Sequence, residues 1–139
     1  MAWTLYHLSF LMISRNESAE AEKVSREILE MRGSTLGDEN LLVSNALIIL
    51  GRSLMAQRRL NEAEEAFREA LHLRHTNLSP EHYLLATTRG FLGECLVLAG
   101  NRNEGESLLI ESYDDLRTKL GADHMHTQMA RERIMRLMN

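Results

Sequence analysis

The sequence predicts an all-α fold, an α-solenoid of three helical hairpins followed by a C-terminal capping helix. The first observation behind this prediction is a repeat: the segment 62–64 (EAE) returns 42 residues later at 104–106 (EGE) and occurs 42 residues earlier at 20–22 (EAE). The second is composition, since 44% of the residues are hydrophobic, proline occurs once, and residues that favour helices are abundant. A fixed period of this length indicates a repeat array.

Each repeat is predicted to form two helices, which we call the inner and the outer helix. In the middle repeat the inner helix covers about 40–57 and the outer helix about 61–76. In both, apolar or small residues recur at spacings of three and four, which places them on one helix face. These residues are Val43, Leu47, Leu50, Gly51 and Leu54 in the inner helix, and Leu60, Ala63, Phe67, Ala70 and Leu71 in the outer helix. Two such faces joined by a short polar turn predict an antiparallel hairpin.

The repeats are predicted to form one domain, 1–139, with repeats at about 2–36, 37–78 and 79–120. A further helix at about 124–138 has the position of another inner helix, because Ile134 and Met138 stand two repeats after Leu50 and Leu54. We expect this helix to cap the array. Its charged residues are expected on a solvated side, and they are Arg131, Glu132, Arg133 and Arg136.

Helix-capping residues are predicted at the same place in successive repeats. Asn61 and Asn103 are expected to cap the outer helices, each with a glutamate three residues later. Ser79 is expected to cap the next inner helix, with Pro80 in the first turn of that helix. Gly121 follows the third outer helix, at the position where a C-terminal glycine is favoured.

Charge and cysteine content exclude several classes of function. With 26% charged residues and a net charge of −4, there is no electrostatic basis for binding nucleic acid or an anionic membrane. The single cysteine, Cys95, excludes an internal disulfide and a cysteine-based zinc site, and we expect an inert core thiol. A reducing, cytoplasmic setting fits this cysteine content.

The apolar stretch at 5–13 has two interpretations. Its hydrophobicity is similar to the centre of a signal peptide. However, no basic residue precedes it, and it is too short to span a bilayer. Leu5, Leu8 and Met12 also stand 42 residues before three apolar residues of the middle inner helix. We therefore expect the inner helix of the first repeat here.

The pattern LxxLGxxL at 47–54, followed by AxxxFxxA at 63–70, resembles the tetratricopeptide repeat. The period of that repeat is usually about 34 residues. The 42-residue period, with its linking segments at 36–40, 78–82 and 120–124, is similar to the kinesin-light-chain type. This type is common in bacterial signalling proteins, including regions attached to serine/threonine kinases. The resemblance implies a right-handed superhelix whose inner helices line a concave groove for a protein or peptide partner.

The resemblance places the partner-binding residues on the inner helices. They are Asn45, Ile48, Ile49 and Arg52 in the second repeat, and Thr87, Phe91 and Glu94 in the third. Ile48, Ile49 and Phe91 are expected to be apolar anchors for a partner helix. Arg52 and Glu94 are expected to set its register by charge. The paired asparagines with which relatives hold an extended peptide are missing, which favours an apolar helix or a second copy of the chain.

An aromatic stripe at 3–10 predicts a second function, which is self-association. Trp3, Tyr6 and Phe10 have little polar cover, and exposed aromatic patches of this kind usually mark an interface. A homodimer through the N-terminal helix is therefore the alternative to binding another protein, although the same stripe is also consistent with the core of a longer array. A regulatory region of a longer signalling protein, such as a serine/threonine kinase, is a third possibility that rests on analogy.

No catalytic motif occurs in the sequence, so we expect neither an enzyme nor a cofactor. There is no glycine-rich phosphate loop, no Gly-x-Ser-x-Gly and no His-Glu-x-x-His. The closest histidine pairs, at 72 and 75 and at 124 and 126, fall short of the three or four ligands of a zinc site, so no metal is expected. His82 and His124 are repeat equivalents in the turns between hairpins, where a structural or solvated role is expected. The paired glutamates at outer-helix starts are explained by the helix dipole.

Overall fold

The computed structural model describes residues 17–32 and 41–138, and these residues form six α-helices and no strand. The helices are α1 (Ser18–Leu29), α2 (Leu41–Ala56), α3 (Leu60–Asn77), α4 (Tyr83–Leu98), α5 (Arg102–Leu120) and α6 (Met125–Leu137). The predicted all-α fold of helical repeats is thereby confirmed. The inner helix predicted for the first repeat falls on residues outside the described part of the chain.

The helices repeat in register along the chain. The inner helices α2, α4 and α6 begin at Leu41, Tyr83 and Met125, which are 42 residues apart. The outer helices α1, α3 and α5 begin at Ser18, Leu60 and Arg102, again 42 residues apart. The period of the sequence is therefore also the period of the structure.

The chain divides into two compact units, residues 1–77 and 78–139. In the first unit, α2 packs against both α1 and α3. In the second unit, α5 packs against both α4 and α6, and α4 also contacts α6. Each unit thus contains one inner–outer hairpin and one helix of a neighbouring repeat. That residues 1–139 form a single domain stays a prediction.

In the first unit, α2 and α3 pack together where a glycine of α2 lies against a phenylalanine of α3. Phe67 is fully buried, and a Cβ atom placed on Gly51 would lie 2.6 Å from its Cε1 atom. Carbon atoms in folded proteins essentially never approach so closely. The small residue that the sequence places at this crossing is therefore required for the two helices to pack at this distance.

In the second unit, α4 and α5 are in close backbone contact at two glycines, one on each helix. A Cβ atom on Gly105 would lie 2.8 Å from the backbone oxygen of Gly93 and 2.8 Å from the backbone nitrogen of Val97. A Cβ atom on Gly93 would lie 2.9 Å from the backbone oxygen of Gly105. Gly105 departs from the repeat pattern, which has Ala63 at this position. The reason is that the two backbones lie closer together than an alanine allows.

The turn from inner to outer helix is the same in both units. In the second unit, Asn101 N–H donates to the carbonyl oxygen of Leu96 (2.8 Å) and Gly100 N–H donates to that of Val97 (3.1 Å), which is a Schellman motif. The first unit contains the same two bonds 42 residues earlier. There Arg58 stands in place of the glycine, with a φ of 62° compared with 97° for Gly100.

The inner helices α4 and α6 are capped by histidines. His82 Nδ1 accepts a hydrogen bond from Leu84 N–H (3.1 Å), and His124 Nδ1 accepts one from His126 N–H (3.1 Å). The prediction that Ser79 caps α4 is wrong, because the chain turns once more before the helix begins. The carbonyl oxygen of Ser79 accepts from His82 N–H (3.0 Å), and His82 then takes the extended backbone of a cap residue.

The capping residues predicted for the outer helices are also wrong. α3 and α5 each begin one residue before the asparagine predicted as the cap, so Asn61 and Asn103 lie inside the first turn. The residue at the cap position of α5 is Asn101, whose side chain makes no capping hydrogen bond. Glu106, the expected partner of Asn103, instead accepts a hydrogen bond from Arg102 Nη2 (2.6 Å).

Candidate partner-binding surface

The predicted apolar anchors on α2 belong to the core. Ile48 is 0% exposed and Ile49 is 3% exposed. Side chains covered to this extent offer almost no surface to a partner in the described conformation, and they stabilise the fold by burial. That a partner contacts Ile48 and Ile49 stays a prediction.

The predicted polar residues of α2 are half-buried. Asn45 Oδ1 accepts a 2.7 Å hydrogen bond from Nη2 of Arg74, a residue of α3 that is 1% exposed. The asparagine therefore helps to solvate a buried guanidinium group. Arg52 lies two helical turns further along α2 and keeps part of its surface exposed. Of the four predicted residues on this helix, Asn45 and Arg52 are the ones with exposed surface.

On α4, the predicted residues Thr87 and Phe91 are 9% and 7% exposed. Thr87 Oγ1 donates to the carbonyl oxygen of Leu84 (3.0 Å), so its hydroxyl group is used inside its own helix. Phe91 lies under Arg133 of α6, whose guanidinium carbon is 4.9 Å from the ring centre, a cation–π contact. α6 thus covers the ring that was predicted to meet a partner.

Glu94 binds the same arginine. Arg133 Nε donates to Glu94 Oε1 (3.0 Å), and Arg136 Nη2 donates to Glu94 Oε2 (3.3 Å). Arg133 was predicted to be solvated but is 8% exposed, because Phe91 and Glu94 supply the ring face and the charge that a buried guanidinium group requires. Burial lowers the pKa of Arg133, and Glu94 opposes this shift. The other charged residues of α6 are exposed as predicted, namely Arg131, Glu132 and Arg136.

A glycine on α4 makes room for Arg133. A Cβ atom on Gly90 would lie 2.9 Å from Arg133 Nη1 and 2.8 Å from Oγ of Ser112, a residue of α5. One repeat earlier the same position is Ile48, a fully buried aliphatic side chain. α4 therefore has no side chain at this position, and Arg133 of α6 occupies the space instead.

Glu22, one of the two glutamates of the pair near the start of α1, has a structural role. Glu22 accepts hydrogen bonds from Arg59 Nη1 (2.9 Å), Gln57 Nε2 (3.0 Å) and Arg26 Nε (2.9 Å). The Gln57 hydrogen bond lowers the pKa of Glu22 most; burial opposes this shift, and Arg26 and Arg59 add to it. The network ties α1 to the turn between α2 and α3. A structural role was predicted for the pair; for Glu22 it comes from ion pairs with Arg26 and Arg59, whereas Glu20 is exposed.

The single cysteine, Cys95, lies in α4. Cys95 is fully buried. Within 17–32 and 41–138, no group of three or more His, Cys, Asp or Glu side chains is placed to hold a metal ion. None of the described helices is both long and apolar enough to cross a membrane. The self-association residues Trp3, Tyr6 and Phe10 lie outside the described part of the chain, so their role stays a prediction.

Two buried arginines were absent from the predicted site. Arg74 stands one repeat before Leu116, and Arg133 stands one repeat after Phe91, so both occupy positions that are apolar and buried in the adjacent repeat. An arginine at such a position requires a partner inside the fold. The sequence therefore does contain a signal for both residues, namely an arginine at a position that is apolar in the adjacent repeat.

Comparison with known proteins identifies the family. A family model described as tetratricopeptide repeat matches residues 42–118, which is more than half of the chain and spans α2 to α5. The chain belongs to the tetratricopeptide repeat family. Tetratricopeptide repeats generally mediate protein–protein interaction, which is the class of function that the repeat pattern predicted. A search of curated proteins found no match.

Proposed function

We propose that this tetratricopeptide repeat chain is a non-enzymatic scaffold that binds a segment of a partner protein along its inner helices. The observation that carries the proposal is the family match, which spans both hairpins, α2–α3 and α4–α5. Repeat arrays of this family generally present extended binding surfaces and need no catalytic centre.

We also infer that the repeats are of the 42-residue, kinesin-light-chain type. The inner and the outer helices each recur at 42 residues, whereas the usual tetratricopeptide period is about 34. The outer helices α3 and α5 have 18 and 19 residues. This register supports the subtype independently of the family match.

Burial refines which residues we assign to partner contact. Asn45 and Arg52 keep exposed polar surface on α2, so we assign the direct contacts on this helix to them. Ile48 and Ile49 then lie beneath the surface and keep α2 in position. On α4, we assign partner contact to Thr87, which is 9% exposed, and to Phe91 and Glu94 once Arg133 has moved away from them.

The test compares charge reversals on an inner and an outer helix. Arg52→Glu changes the proposed surface, and Arg68→Glu is the matched control, because Arg68 is an exposed arginine of α3 that pairs with Glu64 of its own helix (2.8 Å). Proteins captured from the source lysate by the wild-type chain should be lost with Arg52→Glu and retained with Arg68→Glu. Equal capture by both variants, with circular dichroism showing both to be folded, would contradict the assigned surface.

A further inference from the structure

Four neighbouring rings, here called the ring stack, join the start of α4 to the start of α6. The His82–Tyr83 and His124–His126 pairs are stacked, whereas the Tyr83 and His126 rings are tilted by 35°. The ring centres of His82 and Tyr83 are 5.0 Å apart, those of Tyr83 and His126 are 5.5 Å apart, and those of His126 and His124 are 5.4 Å apart. All four residues belong to the second unit. Tyr83 also packs against the small core that α4, α5 and α6 share, which is formed by Ala86, Leu116 and Ala130.

Two of these histidines hold the first turns of their helices as hydrogen-bond acceptors. His82 caps α4 and His124 caps α6, each through Nδ1 and each to the backbone N–H two residues later. Nδ1 accepts a hydrogen bond only in the neutral ring, because both nitrogens of an imidazolium ion are donors. A positive ring would also stand at the positive end of the helix dipole. Both caps therefore require neutral histidines.

We propose that His124 and His82 form a proton-sensitive cap that loosens α6 from α4 and α5 in mildly acidic solution. Protonation of His124 removes the acceptor of His126 N–H and repels the start of α6. Protonation of His82 does the same at the start of α4, at the other end of the ring stack. Because α6 places Arg133 on Phe91 and Glu94, loosening it uncovers these two residues.

The carboxylates nearest the ring stack in sequence are exposed, so solvent weakens their effect on the rings. On α4 the facing groups are His82 and Tyr83, and on α5 Tyr113 packs on the same core with Arg117 over its ring at 5.7 Å. On α6 itself they are His126 and Arg133. The acidic residues Glu81 and Asp123 directly precede His82 and His124, and both are exposed.

The pKa of His126 agrees with the direction of the proposed effect. Burial lowers it below its ordinary value of 6.5, and the neighbouring His124 and Arg133 lower it further. A lowered pKa means that the fold favours the neutral ring. This contribution to stability is therefore complete above pH 6.5 and is lost as the pH falls through the lower folded value.

Hydrogen exchange of the α6 amides tests the proposal. Protection is measured at about pH 7.5 and about pH 5.5 and corrected for the intrinsic exchange rates. The variants are His124→Asn, whose side chain caps a helix at either pH, and His72→Asn, an exposed control on α3. In the wild type and in His72→Asn, α6 protection should fall about five-fold or more on acidification. In His124→Asn the fall should be clearly smaller, because only His82 and His126 still respond to acidification.

Two results would overturn the proposal. One is wild-type α6 protection that is the same at both pH values, and the other is an equal loss in His124→Asn. If His124→Asn is misfolded by circular dichroism at neutral pH, the decision rests on the wild type alone. There, the NMR titration of the His124 ring should share its midpoint with the loss of α6 protection, and midpoints more than about one pH unit apart would refute the cap.

Discussion

Arg58 is held in the left-handed backbone region, with a φ of 62°, at the position where the next repeat has Gly100. A side chain in this conformation costs about 1–2 kcal/mol, which glycine avoids. Arg58→Gly should therefore raise the free energy of unfolding by about 1 kcal/mol, and Gly100→Ala should lower it by a similar amount. Urea denaturation measures both. A loss of stability in Arg58→Gly would mean that the arginine side chain contributes more than its backbone costs.

The pair of Glu94 and Arg133 gives a second prediction at the residue scale. Their side chains are 13% and 9% exposed, so Glu94→Gln leaves a buried guanidinium group without its counter-charge. We expect this change to cost about 1–3 kcal/mol. The double variant Glu94→Gln with Arg133→Met should recover part of the loss, because no unpaired charge remains. Thermal unfolding of the wild type, Glu94→Gln, Arg133→Met and the double variant completes the double-mutant cycle. Glu132→Gln is an exposed control on α6. Strictly additive effects would show that the two groups are not coupled.

At the scale of helices, the contact of α4 with α5 depends on the absence of a side chain at Gly105. The atoms that a Cβ would meet include backbone atoms of Val97 and Gly93, which move only if a helix moves. Gly105→Ala should therefore lower the free energy of unfolding by about 1–3 kcal/mol, although alanine favours helices. Ser107→Ala, an exposed change on the same helix, should alter it by less than about 0.5 kcal/mol. Comparable values for the two variants in urea denaturation would contradict the close contact.

Helix positions followed from the sequence, but the residues that begin each helix did not. The inner helix expected at about 40–57 is found as Leu41–Ala56, because apolar spacing reports directly on the buried face of a helix. The caps were misplaced because asparagine, serine and histidine can all accept a hydrogen bond from a first-turn N–H. Which of them does so depends on the backbone of the preceding turn, and spacing carries no information about that turn. His82 was consequently placed in a turn when it is in fact a cap.

At the scale of the whole chain, stability should fall in two separate pH ranges. His126 has a lowered pKa, so its contribution is present above pH 6.5 and is lost as the pH falls through the folded value. The pKa of Glu22 is also lowered, so its contribution is present above pH 4.5 and is lost at still lower pH. Urea midpoints measured from about pH 8 to about pH 3 should show both decreases.

Single variants assign the two pH ranges. His126→Gln should reduce the upper decrease and leave the lower one, whereas Glu22→Gln should reduce the lower decrease and leave the upper one. His75→Gln, an exposed change on α3, should leave both decreases in place. If the upper decrease persists unchanged in His126→Gln, another group is responsible for it.

The binding surface was less predictable than the fold. The repeat register identified α2 and α4 as the inner helices, and Asn45 and Arg52 do keep exposed surface there. The burial of Phe91 depends on Arg133, which is 42 residues further along the chain and belongs to a helix predicted only as a cap. Spacing within one helix contains no information about such a contact, whereas comparison of equivalent positions across repeats does.

The absence of a side chain at Gly90 has a consequence for engineering this protein. Repeat proteins are often treated as interchangeable blocks, each of which can be moved into another array. The α4–α5 hairpin does not meet that condition, since part of its filling comes from Arg133 of the helix that follows. Transplanted alone, it would have a void beside Gly90 and an unneutralised carboxylate at Glu94, so α4, α5 and α6 form the smallest block that can be grafted.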